Sequence, residues 1–149
     1  MDTGSNDRHS AEPIRLLVEL DEEECKALLA SGTVGRLAVA TEEGPEMFPV
    51  NYGYLDGAIA IWTDRGRKLE HASFDRVAFE VEELDLENRT GWVVEAMGHA
   101  EDITDAVDPW AVRLQALEVH PWVSGPHPYC IAILRPRLSG RRLVPAPQE

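Results

Sequence analysis

Two cysteines, Cys25 and Cys130, occur in 149 residues, and they stand far apart with neither Cys-x-x-Cys nor zinc-ligand spacing. No apolar run approaches the roughly 20 residues that cross a bilayer, and no secretory-type apolar segment lies near the N-terminus. These absences point to a soluble protein of the reducing cytoplasm. Positive charge is scarce too: 14 Lys and Arg face 27 Asp and Glu, a formal net charge of -13, so the summed field repels nucleic-acid phosphates and anionic membranes alike. Neither nucleic acid nor membrane is expected as a partner. The Gly-rich dinucleotide fingerprint, the P-loop, the Gly-x-Ser-x-Gly elbow and the His-Glu-x-x-His pair are all missing, which removes the commonest chemistries readable from a sequence. His120, His127 and Cys130 lie near one another, but in a proline-rich stretch and at spacings that match no familiar zinc pattern. No metal site is assigned. Carboxylates are too numerous for any pair to stand out as acid and base, so catalytic residues stay unknown.

What is present suffices for one domain with a core: 44% of the residues are hydrophobic, in a chain too short for two ordinary domains. Residues 1–13 lack periodicity and read as a disordered tail. Residues 14–143 read as the folded domain and the proline-rich 144–149 as a second tail. Asp21 with Glu24 three residues later forms a capping-box pattern, and Cys25, Leu28 and Leu29 form an apolar stripe that Gly32 would end as a left-handed stop. A helix over Glu22–Ser31 follows.

Beyond Thr33 the period shifts to two. Strands are expected at Val34–Thr41, Met47–Tyr54, Ala58–Thr63, Arg76–Glu83, Gly91–Ile103 with a bend at Gly98, and Tyr129–Leu134, with a hairpin turn at Asp56-Gly57. Short helices are expected over Lys68–Ser73 and from Pro109 to Leu117. The stretches Leu84–Thr90 and Glu118–Pro128 read as loops. Six strands in hairpin order with few helices predict a mainly β fold, an antiparallel barrel rather than a doubly wound sheet. Pro49 disturbs its strand, because proline donates no ladder hydrogen bond, and so marks an edge, a bulge or a ligand contact.

In so acidic a chain, clustered positive groups are informative. Thr63 ends a strand, and Arg65, Arg67 and Lys68 follow at a turn into a short helix. A phosphate monoester wants two or three such groups, with arginine offering a planar fork, lysine a compact charge, and helix-start N–H groups adding to both. The cluster fits that role, and it fits equally a solvated basic turn balancing nearby glutamates.

Val34-Gly35-Arg36-Leu37-Ala38, Pro49-Val50-Asn51-Tyr52, Ile61-Trp62-Thr63 with Gly66-Arg67-Lys68-Leu69, Val77-Ala78-Phe79-Glu80-Val81 and Thr90-Gly91-Trp92-Val93-Val94 occur in an order and spacing that resembles the pyridoxamine 5'-phosphate oxidase-like family of flavin-binding split barrels. The likeness covers about Leu20 to Leu143. It implies a six-stranded split β-barrel homodimer with flavin mononucleotide (FMN) at the subunit interface. By that likeness Thr63, Arg67 and Lys68 hold the flavin phosphate, while Pro49, Val50, Asn51 and Tyr52 line the isoalloxazine ring partly through their backbone. The second subunit would contribute around Gly91 and Trp92. Arg36 either approaches the cofactor or makes an ion pair on the barrel surface, and Trp62 and Trp92 read as core or interface packing ahead of direct stacking. The likeness has a gap: oxidases of pyridoxamine phosphate share a C-terminal Arg-x-His element, and after Tyr129 this chain offers only Arg135-Pro136-Arg137 and Gly140-Arg141-Arg142. Related branches bind a deazaflavin coenzyme or haem, or only store or sense a ligand. The resemblance therefore implies an FMN-dependent oxidoreductase acting on an unknown small molecule, or else a non-catalytic flavin, deazaflavin or haem binding module.

Overall fold

A computed structural model describes residues 13–64, 69 and 72–147. Among them the chain forms β1 (Arg15–Leu20), α1 (Glu22–Ser31), β2 (Val34–Thr41), β3 (Gly44–Leu55), β4 (Ala58–Thr63), β5 (Ser73–Asp85), β6 (Thr90–Gly98), β7 (Ala100–Asp102), α2 (Pro109–Gln115), β8 (Tyr129–Leu134) and β9 (Arg137–Pro145). The strands pair in the order β1-β9-β6-β5-β2-β3-β4-β8-β7. Neighbours run antiparallel throughout. Only His99 separates β6 from β7, yet β6 lies between β9 and β5 while β7 is the far edge beside β8. The sheet must therefore curl until its edge returns to its middle, and β7 comes to rest near β5. The result is a mainly β, antiparallel split barrel.

All six expected strands occur, and three keep their expected ends: β2, β4 and β8. The count is nine rather than six, for two physical reasons. The bend expected at Gly98 divides one long strand into β6 and β7. The other two are β9, which pairs with β6, and β1, which pairs with β9 as the edge beyond it. They show little apolar alternation, since β1 buries no side chain fully and β9 buries only Gly140. Backbone pairing rather than side-chain burial holds them. The proline-rich end accordingly stays in register as far as Pro145 opposite Arg15. The loop expected over Leu84–Thr90 narrows to a turn at 86–89, because β5 runs to Asp85 and β6 begins at Thr90. There Asp85 accepts hydrogen bonds from the Asn88 backbone at 3.0 Å and its amide at 2.7 Å, which hold the Asp85 carboxyl below its ordinary range. Of the helix expected over Lys68–Ser73, residues 68, 70 and 71 lie outside the described residues, and its last residue, Ser73, begins β5.

Inside the barrel, alternate residues of the wall meet at Leu37, Ile59, Ile61, Phe79, Val94, Ile131 and Ile133, all about fully buried. Each such side chain contributes about 1.5–3 kcal/mol by leaving water. One open end is covered by α1, which inserts Cys25 and Leu29 into the same core. Its start is the expected capping box: Glu24 N–H donates to Asp21 Oδ1 at 2.8 Å and Asp21 N–H to Glu24 Oε1 at 3.4 Å. Its stop is not left-handed. Gly32 is extended, at φ -88° and ψ 165°, and a glycine is needed because a Cβ there would strike the Tyr52 hydroxyl.

A second, smaller core lies outside the wall, where α2 packs on the outward residues of β4 and β8. Small groups, Ala58, Ala60, Cys130 and Ala132, let the helix come close with Ala111 and Leu114. With both faces covered, β4 is a continuous buried run from Ala58 to Ile61. The helix ends at Gln115, short of the expected Leu117. Gln115 turns its amide back onto the carbonyls of Ile103 at 2.5 Å and Ala106 at 3.0 Å, tying α2 to the chain after β7.

Candidate functional site at the parting of β3 and β4

From Gly44 to Asn51, β3 pairs with β2; from Tyr52 to Leu55 it pairs with β4. Continuing the second register would set Thr63 across from Val50. Instead the two strands part after the Tyr52–Ile61 pair, and the end of β4 keeps only β8, as Trp62↔Cys130 and Thr63↔Tyr129. The split in the barrel is therefore at this crossing, with Pro49 to Asn51 on one lip and Thr63 on the other.

Tyr52 holds the crossing in place. Its hydroxyl donates to the Leu29 carbonyl at 2.5 Å, its backbone N–H donates to Thr33 O at 3.2 Å, and its ring meets the Phe79 ring edge-on at 4.9 Å between centroids. Burial pushes the hydroxyl pKa up to about 12, so Tyr52 is a neutral donor across the physiological range. Strand alternation does the rest. Because the Tyr52 N–H points to the β2 side, the nitrogens of Asn51 and Pro49 point the other way, to the unpaired edge. Pro49 thus forfeits no ladder bond, and its ring stands exposed on the outer face while Val50 and Tyr52 turn inward.

Asn51 has a second task. Its Oδ1 accepts the backbone N–H of Trp122 at 2.9 Å, which fastens the 118–128 connection to the crossing and leaves Trp122 itself 77% exposed beside it. Trp122 was not among the expected site residues. The signal available was a tryptophan in an otherwise polar, proline-rich loop.

The outer face beyond Pro49 is a charged hollow of about 220 Å³ lined by Gly35, Arg36, Pro49, Glu80 and Glu82. Arg36 Nη1 meets Glu82 Oε1 at 2.6 Å, so Arg36 takes part in a surface ion pair at the site's margin. Burial first and the Glu82 carboxylate second raise the Glu80 pKa, while Arg36 opposes them. An adjoining hollow of about 340 Å³ shares Glu80 and Glu82 and is lined further on by Gly91, Trp92 and Arg141. Within the chain Pro49 and the Gly91–Trp92 pair lie on one surface, with these glutamates between them. Gly91 has φ 157°, and a Cβ there would run into the Glu83 carbonyl. Trp92 is half-buried against the core.

Arg67 and Lys68 lie outside the described residues. Beyond them, Leu69 is 5% exposed in the main core and accepts a hydrogen bond from Ala72 N–H at 3.2 Å. Both cysteines are free and buried. Burial, then Asp102, pushes the Cys130 thiol up to about 11, and burial with Asp21, Glu24 and Glu22 raises Cys25; both are held as thiols, unsuited to nucleophilic attack. Among the described residues no group of three or more His, Cys, Asp or Glu gathers as metal ligands, and no helix is long and apolar enough to cross a membrane.

Known proteins share this fold. The family profile described as pyridoxamine 5'-phosphate oxidase matches residues 21–142. The uncharacterised protein Rv0080 of Mycobacterium tuberculosis is 35% identical over 150 residues, covering 97% of this chain and 96% of its own length. A Corynebacterium glutamicum structure provisionally named a pyridoxamine 5'-phosphate oxidase superposes with a TM-score of 0.72 at 26% identity, over 89% of this chain and 96% of that one. A FAD-binding protein from Mesorhizobium loti superposes with a TM-score of 0.66 at 27% identity, over 85% of this chain and 98% of that one.

Proposed function

The chain belongs to the pyridoxamine 5'-phosphate oxidase family, and from that premise we propose that it binds flavin mononucleotide at the parting of β3 and β4 and serves as a flavin-dependent oxidoreductase for a small molecule. The observation that carries the reading is the change of partner along β3, which leaves a strand edge open beside Thr63. Such an edge suits a flat heterocycle whose rim alternates acceptors and N–H groups: the outward Asn51 N–H is a donor, neighbouring carbonyls are acceptors, and Pro49 adds an apolar surface. Thr63 with Arg67 and Lys68 supplies a hydroxyl, a fork and a point charge for a phosphate monoester. FAD binding by the Mesorhizobium loti protein supports a flavin, and the phosphate seat favours the mononucleotide form. Flavin supplies hydride and single-electron transfer when bound. The chain's own residues position it, exclude water and neutralise its phosphate.

The separation of Pro49 from Gly91 and Trp92 favours a homodimer in which one copy's crossing faces the other's Gly91–Trp92 surface. Natively purified protein should release a molecule of the mass of FMN on denaturation and show flavin absorbance, and the paired change Arg67→Ala with Lys68→Ala should lose both. Colourless protein that takes up neither FMN nor a deazaflavin on titration would sink the proposal. Bleaching of the bound flavin by a nicotinamide coenzyme would mark an enzyme; a flavin that no donor reduces would mark a binding module.

A further inference from the structure

At the other end of β4 lies a cavity of about 600 Å³, between the Asp56 hairpin, the Gly98–His99 bend, the end of β8 and α2. Ala58 is on its wall and Thr63 is five residues further along, roughly 17 Å at about 3.3 Å per residue, so the cavity is separate from the crossing. Its size is that of a small-molecule site.

The floor is apolar, from Leu55, Ala58, Leu114 and Leu134. Trp110, Arg113 and Leu114, spaced three and four apart, put one face of α2 towards it. In a chain of net charge -13 the rim gathers His99, Arg113 and Arg135 against a single carboxylate, Asp56. Two of these are engaged. Arg113 Nε meets Asp56 Oδ2 at 3.3 Å, and His99 Nε2 meets Glu101 Oε1 at 3.4 Å. Arg135 differs, with no hydrogen-bond or ion-pair partner among the described residues. It also stands at φ 45°, a left-handed conformation that costs a side chain other than glycine, immediately before Pro136. A left-handed backbone at an exposed, unpartnered arginine that lines a largely apolar cavity suits the capture of an anionic group.

We propose that this cavity binds a small carboxylate with an aromatic or branched apolar body, the body against Trp110 and Leu114 and the carboxylate on the Arg135 fork. One free guanidinium matches the single charge and planar geometry of a carboxylate. A phosphate dianion would need more positive charge than a rim that also carries Asp56 and whose His99 already meets Glu101.

The test is a calorimetric and NMR titration of the full chain with aryl carboxylates from benzoate to 2-naphthoate, each paired with its neutral amide. At least one carboxylate should bind about tenfold tighter than its amide, as a hydrogen-bonded charge pair requires, with shifts at the Trp110 indole and Gly98. Arg135→Gln should abolish that preference. Arg135→Gly should abolish it too while raising the melting temperature by relieving the left-handed residue, a combination that damage to the fold would not produce. Equal affinity for acid and amide, a preference that survives both substitutions, shifts clustered at Pro49 to Thr63, or displacement by inorganic phosphate would each overturn the assignment. So would no binding across the panel.

Discussion

Over its first eight residues β3 has a single partner, β2, and Pro45, Met47 and Pro49 stand exposed on its outer face; over its last four it joins β4 in a wall that the Asp56-Gly57 hairpin closes. The same strand is thus an open edge at one end and a barrel stave at the other. The exposed half has a backbone free to meet a ligand, and the closed half supplies the rigidity that keeps it in place. An unpaired edge would ordinarily invite aggregation. Here Pro49 and the Asn51 contact to Trp122 occupy part of it. Tyr52, at the boundary, belongs to both halves.

Removing that boundary should have the largest effect. Tyr52→Ala takes away a buried ring packed on Phe79 and should cost about 3–5 kcal/mol in urea unfolding; a loss under about 1 kcal/mol would mean that the strand pairings alone hold the crossing. Tyr52→Phe is gentler and more specific. It removes one of two donors to the Leu29 carbonyl, the Gly32 N–H remaining at 3.3 Å, at about 0.5–1.5 kcal/mol. The hydroxyl also sets a pH dependence whose sign is definite. Between an ordinary value of about 10 and the folded value of about 12, the unfolded chain gives up this proton while the folded chain keeps it, so stability is intact below about pH 10 and falls as pH rises towards 12. Stability measured across that window should fall less steeply in the phenylalanine variant.

Asn51→Ala should cost about 1 kcal/mol and quicken proteolysis within 118–128, which a loop held by other contacts would resist. Pro49→Ala should have the smallest effect, about 0.5 kcal/mol through the freer unfolded chain. An alanine there gains an N–H directed to the open edge, so a gain in stability from a restored ladder bond would show that Pro49 is not at an edge.

How far each half was legible follows from what the pattern encodes. The closed half and its neighbours were plain in the sequence: alternating Ile59 and Ile61, the Asp56-Gly57 turn and the Asp21–Glu24 capping box are local signals, and β4, β8 and α1 have their expected ends. The bend at Gly98 was legible as well. What was hidden depends on long-range pairing. Leu16, Leu17 and Val18 are all exposed in β1, so no alternation marks them as a strand, and β9 is basic and buries only a glycine. Of the site, Pro49 was visible as an anomaly, but the exchange of partners between Asn51 and Tyr52 was not, because nothing in Asn51-Tyr52 distinguishes one partner strand from another. The link from Asn51 to Trp122 spans 71 residues and has no local signature.

The most direct measurement is backbone hydrogen exchange of the full chain with and without saturating FMN. If the open half of β3 seats the flavin, the edge-facing amides of Met47 and Asn51 and that of Thr63 should gain protection, while those of Leu55 to Ala58 and of Arg135 should not change. FMN that fails to bind, or protection confined to the hairpin end, would contradict the account.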